Sequence, residues 1–263
     1  MRKTILATAV LAALAASTSV MAQEAAAPAS EHTFTANVTL ASEYIYRGIG
    51  QTNRKPALQG GFDYSHASGL YAGVWGSNVS WLSDGRSDVS SSLEIDLYGG
   101  YKNTFAGGDW NYDVGVLRYN YPGTYPSGYT KADTTELYGA IGWKWLTLKY
   151  SHVVSSHIFG FTSSNGADNT RGSGYLELNA AYDLGDGWGV LGHVGHQKIK
   201  NNDDASYTDY KVGVTKDVGF GTVGLSYWTT NAKACGDTPA TYCNAFNKDL
   251  GEGRALLSFT KTF

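Results

Sequence analysis

Fourteen charged side chains stand at alternate positions within short stretches of otherwise apolar and small residues. The acids are Glu43, Asp63, Glu94, Asp96, Asp113, Glu136, Glu177, Asp183 and Asp209, and the bases are Arg47, Lys102, Lys149, Lys211 and Arg254. Charges on one side of a ribbon whose other side is apolar must meet water or one another. Two arrangements satisfy this. The charges line a water-filled passage and act on ions or solutes inside it, or they pair across a narrow interior and fill it. Arg47, just before Gly48 and in reach of the second and last strands, suits a charge at a constriction, and suits better a structural pair with Glu43 or Asp63.

Other chemistry is poorly represented. Ser151 and His152 are neighbours, and neighbours on a strand point to opposite faces, so they do not form a nucleophile–base pair directly. His196 falls on an outward strand position. No His, Cys, Asp or Glu group has metal-ligand spacing in the chain, and no glycine-rich phosphate loop joins a strand to a helix, so no metal or cofactor is implied. Cys235 and Cys243 are the two cysteines. In an exported chain such a pair is expected to oxidise, and closing so short a loop contributes about 2–3 kcal/mol against the disordered loop.

Export follows from the start of the chain. Arg2 and Lys3 precede an apolar run from Ile5 to Ala16, and Val20-Met21-Ala22 is a small-residue cleavage site, so residues 1–22 read as a signal peptide. Its removal leaves 18 basic against 23 acidic residues, a net charge of −5. No basic cluster suggests nucleic acid. Residues 23–32 lack periodicity and read as a flexible periplasmic lead-in to a single domain over 33–263. After residue 22 no apolar run approaches the roughly 20 residues of a spanning helix.

From Thr33 the chain alternates with period two, the mark of half-apolar strands. The pattern predicts twelve: one over 33–46, then 58–66, 70–79, 93–102, 110–121, 134–143, 146–154, 174–184, 188–199, 207–216, 222–230 and 254–263. On the first, Tyr44 and Tyr46 are expected on the apolar side with Phe34, Val38 and Leu40. Around Leu117, Arg118 and Tyr119 the alternation changes phase, which predicts a bulge. In the last strand Ala255, Leu257, Phe259 and Phe263 share a face, against Arg254, Ser258, Thr260 and Thr262. Connections alternate strictly, with long ones at 48–57, 80–92, 122–133, 155–173, 200–206 and 231–252. The intervening ones at 67–69, 103–109, 144–145, 185–187 and 217–221 are mostly tight. Aromatics gather near strand ends: Tyr64, Tyr101, Trp110, Trp143, Tyr182, Trp188 and Phe263 beside the short turns, and Tyr44, Tyr46, Trp81 and Tyr150 toward the long loops. Alternating loop lengths and two aromatic girdles predict an all-β fold, a transmembrane antiparallel β-barrel of about twelve strands.

Ser42-Glu43-Tyr44-Ile45-Tyr46-Arg47-Gly48-Ile49-Gly50-Gln51-Thr52 resembles a stretch of the TorF-like porin family, outer-membrane proteins catalogued as conserved and uncharacterised. The likeness runs on through residues 56–64, 69–78 and 94–101, and through Tyr112-Asp113-Val114-Gly115 with Tyr121-Pro122. Gly50 stands where that family more often has Ser, and the cysteine-bearing loop lies outside its pattern. The resemblance implies a bacterial outer-membrane barrel with both termini in the periplasm, in contact with outer-membrane lipids. It implies passive diffusion of small hydrophilic solutes or ions, for which the excess of acids adds a mild preference for cations. A terminal strand ending on Phe259 and Phe263 is similar to the closing strand that the barrel-assembly machinery reads. An adhesin-like or structural barrel with a closed lumen is the alternative, and a lipid hydrolase on the same frame a more distant one. Thiol titration of unreduced, folded protein should find no reactive thiol, because Cys235 and Cys243 are expected to be bonded to each other.

Overall fold

A computed structural model describes residues 30–166 and 168–263. The signal peptide and most of the lead-in lie outside the described residues. Twelve long strands close into one antiparallel barrel. They are β1 (His32–Ala41), β4 (Ala57–His66), β5 (Leu70–Asn78), β6 (Leu93–Phe105), β7 (Trp110–Asn120), β8 (Thr134–Trp143), β9 (Leu146–Val153), β10 (Gly174–Gly185), β11 (Trp188–Lys198), β12 (Tyr207–Asp217), β13 (Thr222–Thr230) and β14 (Arg254–Thr262). Two further strands, β2 (Ile45–Tyr46) and β3 (Ile49–Gly50), form a separate hairpin after β1. Each long strand pairs with its chain neighbour among the long strands, and β14 returns to β1.

Closure fixes the ends of the chain. Asn37 lies opposite Thr262 and Ala41 opposite Ser258. Phe263 exchanges both backbone hydrogen bonds with Ala36, at 2.8 and 3.2 Å. Inside the ring, the hydroxyls of Thr39 and Thr260 meet at 2.7 Å. The barrel sheet keeps no open edge among the described residues, which is the condition a strand-built body must meet in hydrocarbon.

Burial is inverted relative to a water-soluble domain. Phe34, Phe62 and Val212 are 76, 69 and 65% exposed, whereas Asp96 and Asp209 are wholly buried. Leu40, Leu97, Leu137, Leu178, Leu225 and Leu257 continue the apolar outer wall. Such a continuous apolar belt is covered only by lipid or detergent. Trp110, Trp143, Tyr182, Trp188 and Phe263 are exposed near the termini and short turns, where rings suit a headgroup interface. Among the described residues no helix is long and apolar enough to cross a membrane.

Three expectations are corrected here. The first strand ends at Ala41, not at residue 46, because the chain after it turns into the barrel. Tyr44 and Tyr46 are therefore buried inside, and Trp81 packs edge-on against Tyr121 in the same interior cluster. The bulge at Leu117–Tyr119 is absent, and β7 keeps continuous register with β6 and β8. Leu117 and Tyr119 face inward because apolar partners await them there. Arg118 faces outward and donates to Thr135, Asn120 and Asp133. The β10–β11 ladder does shift register, between Asp183 and Gly185 beside the tight turn.

The unboiled protein in detergent should migrate on a gel differently from the boiled one, since ring closure resists detergent unfolding. An unchanged position, or a folded protein that stays dispersed without detergent, would contradict this architecture.

Candidate functional site

The residues from Ser42 to Asn53 cross the mouth at the long-loop end. Their hairpin reverses at Arg47 and Gly48, both left-handed, with φ of 46° and 77°. Two positive φ values in succession make the tight hairpin turn that matches strand twist. For Arg47 this backbone costs on the order of 1–2 kcal/mol. Gly48 is required for a second reason. A Cβ there would lie 2.4 Å from Thr230 Cγ2 and 2.7 Å from Asp209 Cβ, so the hairpin tip rests directly on the wall formed by β12 and β13.

Arg47 is held on all sides. Its Nη2 donates to Glu136 Oε2 at 2.8 Å and its Nη1 to Glu136 Oε1 at 3.0 Å, a two-pronged pair. Nη1 also donates to Gln197 Oε1 at 2.7 Å. The guanidinium stacks 4.1 Å from the centre of the Tyr175 ring. Burial works against the arginine charge, and the Glu136 carboxylate outweighs that effect, holding the guanidinium well above its ordinary pKa. The planar fork makes arginine suited to this place, since it satisfies two acceptors and an aromatic face together. The partner is therefore Glu136, not Glu43 or Asp63 as the sequence suggested. Arg47 leaves the wall of its own strand and reaches β8, β10 and β11, because the inward turn after Ala41 carries it across the lumen.

Other hairpin residues complete a cross-brace. The Tyr44 hydroxyl donates to Glu94 Oε1 at 3.3 Å, and its ring packs on Trp75. The hydroxyls of Tyr46 and Tyr119 meet at 2.6 Å. Ile49 joins Tyr207, Ala232 and Tyr242 in a second apolar cluster. Glu43 follows β1 rather than lying on it, and pairs with Arg254 of β14 at 3.1 Å while accepting from the Arg54 backbone N–H. The hairpin is thus fastened to both edges of the closing seam and to the opposite wall.

Below it, the inner wall is a set of polar contacts. Tyr98 donates to Asp63 at 2.5 Å, and Tyr71 donates to Asp113 at 2.6 Å and also contacts the Tyr138 hydroxyl. Lys149 lies over the Tyr138 ring at 4.4 Å, and Lys211 over Trp228 at 4.8 Å. Asp209 accepts from Tyr175 at 2.8 Å and meets His193 Nε2 at 2.9 Å. His193 Nδ1 meets Asn179 Oδ1 at 2.6 Å, and Asn179 donates to Glu177 at 2.8 Å. A Cβ on Gly195 would lie 1.9 Å from the Tyr175 hydroxyl, so the glycine makes room for this network. Glu94 and Asp96 differ from the other acids. Both are buried, and among the described residues Glu94 Oε2 and both Asp96 carboxylate oxygens have no hydrogen-bond partner.

Glu43, Arg47, Glu94, Asp96, Asp113, Glu136, Lys149 and Asp209 are buried and Asp63, Lys102, Glu177, Lys211 and Arg254 half-buried, while Asp183 is exposed near a short turn and accepts from the Gly185 N–H. Sequence reasoning missed His193, Gln197, Tyr175 and Tyr119. Parity alone finds the first two, since they alternate with outward Val194 and His196 on β11. Ser151 is buried and His152 exposed, on opposite sides of β9. Cys235 and Cys243 are joined by a disulfide in the loop between β13 and β14.

Residues 25–263 match the model of a family described as "Bacterial protein of unknown function (Gcw_chp)". The chain belongs to that family. Proteins of curated function give no match. Among solved structures the chain is similar to "KdgM porin in complex with disordered oligogalacturonate", with a TM-score of 0.51 and 8% identity over 88% of this chain and 98% of the other. It is also similar to the structure titled "NanC porin structure in rhombohedral crystal form", with a TM-score of 0.52 and 10% identity over 88% and 99%. These likenesses concern the fold: this member of the family has the barrel of outer-membrane porins.

Replacing Arg47 with Ala strands Glu136 in a buried setting. Removing one partner of a buried pair costs about 3–5 kcal/mol, so urea unfolding of the Arg47→Ala variant in detergent should show a loss of that order. Loosening of the hairpin should raise the current carried by the barrel in a planar bilayer. Unchanged stability together with unchanged current would remove Arg47 from both roles.

Proposed function

We propose that the protein is an outer-membrane channel for passive diffusion of small hydrophilic solutes or ions, mildly preferring cations, with the β2–β3 hairpin setting its narrowest section. In this reading both termini and the short turns face the periplasm and the long loops face outward. The apolar belt contacts outer-membrane lipids, and the terminal strand with Phe259 and Phe263 is the segment that the barrel-assembly machinery reads. The likeness of residues 42–122 to the TorF-like porins belongs to the same proposal.

The observation that carries the reading is the unbalanced acid pair at the constriction. Glu94 and Asp96 lie beneath the hairpin with three buried carboxylate oxygens unpartnered among the described residues, while the nearby Glu136 is matched by Arg47. A buried carboxylate without a counter-charge costs several kcal/mol, so away from water or a cation such a group takes up a proton. In this reading the two groups ionise where water or a cation reaches them, and the field there then favours a cation over an anion. A barrel whose interior served only to be filled has no use for such carboxyl groups, since apolar side chains of similar volume fill space without burying unpartnered polar atoms.

One observation favours the closed-lumen alternative, in which outer loops carry an adhesin-like role. Tyr44, Tyr46 and Arg47 are nearly fully buried where they cross the mouth. Bilayer recording separates the two readings. Under a KCl gradient the wild-type protein should conduct with a reversal potential of the cation-selective sign. Glu94→Gln combined with Asp96→Asn should lower the cation-to-anion permeability ratio by roughly twofold. An anion-selective reversal potential would overturn the preference. Absence of conductance in both the wild type and the Arg47→Ala variant would overturn the channel.

A further inference from the structure

At the opposite end of the barrel, where the termini lie, β1 and β4 begin and end with histidines that face each other. His32 pairs directly with His66 in the ladder. Both alternate in phase with the outward residues Phe34 and Tyr64, so both rings are on the outer wall at its edge. Their centroids are 5.2 Å apart. Glu31 precedes His32, and its backbone carbonyl accepts from the Ala67 N–H, holding the chain against the end of β4. One ligand atom from each of Glu31, His32 and His66 lies within 4.8 Å of the others.

We propose that Glu31, His32 and His66 form a binding site for a divalent transition-metal ion of the zinc type. Two imidazoles and a carboxylate are a donor set that zinc accepts, with a fourth position left to water. Bonds of 2.0–2.2 Å in tetrahedral geometry hold ligand atoms about 3.3–3.6 Å apart. The observed spacing therefore closes by rotation of side chains that are exposed or half-exposed, without moving the ladder.

One ring nitrogen of each histidine, Nδ1, has a support of the kind that metal-bound histidines use. His32 Nδ1 lies 2.9 Å from the Tyr64 hydroxyl and His66 Nδ1 lies 2.8 Å from Ser68 Oγ. Each hydroxyl can accept from an Nδ1–H, which frees Nε2 to bind the ion. For His66 this tautomer gives up the 3.1 Å contact in which the Ser68 backbone N–H donates to Nδ1. Tyr64 is itself fixed by stacking beside His32 and by contact with Phe34. The neutral donors and single carboxylate disfavour calcium and magnesium, which take oxygen ligands. Such an ion would fasten the start of β1 to the end of β4, beside the closing seam.

The test uses the folded, detergent-solubilised protein without a polyhistidine tag, titrated with zinc against a chromophoric chelator. One equivalent should bind, and calcium at the same concentration should leave binding unchanged. His66→Ala and His32→Ala should each weaken zinc binding by at least about 100-fold, and Tyr64→Phe, which keeps the ring and removes the support, by about 10–100-fold. His196→Ala, on another part of the outer wall, should leave it unchanged. No stoichiometric zinc, or equal affinity in wild type, His32→Ala and His66→Ala, would overturn the site. All of these substitutions lie on the surface, and the gel shift between boiled and unboiled samples reports whether each variant is folded. Conductance is not used as a readout, so the outcome is independent of whether the barrel is a channel.

Discussion

Every inward and outward direction in this protein depends on the backbone pairing of the first strand with the last. An N–H or C=O left without a partner in hydrocarbon costs several kcal/mol, and a sheet of eleven ladders would leave two rows of them. The twelfth ladder, from Asn37–Thr262 to Ala41–Ser258, removes both rows. Once the ring is closed, alternation along each strand has only two destinations, lipid and lumen. Phe34 and Val38 on β1 then share the outer wall with Leu257 and Phe263 near the other end of the chain, while Thr39 and Thr260 meet inside.

A closed ring of this size has an interior that side chains can nearly span. The chain uses that dimension by turning inward after Ala41. The hairpin contributes apolar groups to clusters at the long-loop end and a single guanidinium to the far wall. The left-handed backbone at Arg47 and the burial of its charge are both unfavourable locally. The two-pronged contact with Glu136, the Gln197 acceptor and the Tyr175 face offset them together. The same crowding explains why Leu117, Tyr119 and Tyr121 are apolar or aromatic on a wall that elsewhere carries acids. They line the side of the lumen on which the hairpin packs.

The inner charges are consequently of two kinds. Asp63, Asp113 and Asp209 accept from tyrosine hydroxyls, and Glu43 and Glu136 meet arginines. These hold the wall and the brace in shape. Glu94 accepts from the Tyr44 hydroxyl on one oxygen only, and among the described residues its other oxygen and both oxygens of Asp96 are buried without a partner.

What the sequence determined by itself was parity. Period-two alternation is local, because the pleat places successive side chains on opposite faces whatever the rest of the chain does. Strand number, the inward side of Asp63 or Glu177, and the outward side of Leu257 were legible for that reason. The Arg47–Glu136 contact was not, since it joins residues 89 apart on separate elements across the lumen. The end of alternation at Ser42, where Tyr44, Ile45 and Tyr46 follow one another, was the trace of the inward turn and could be read as strand. The approach of His32 to His66 was likewise hidden, because no spacing in the chain records which two positions a ladder will set side by side. Those pairings were decided by tertiary structure, through strand register and ring closure, which together convert separation along the chain into distance in space.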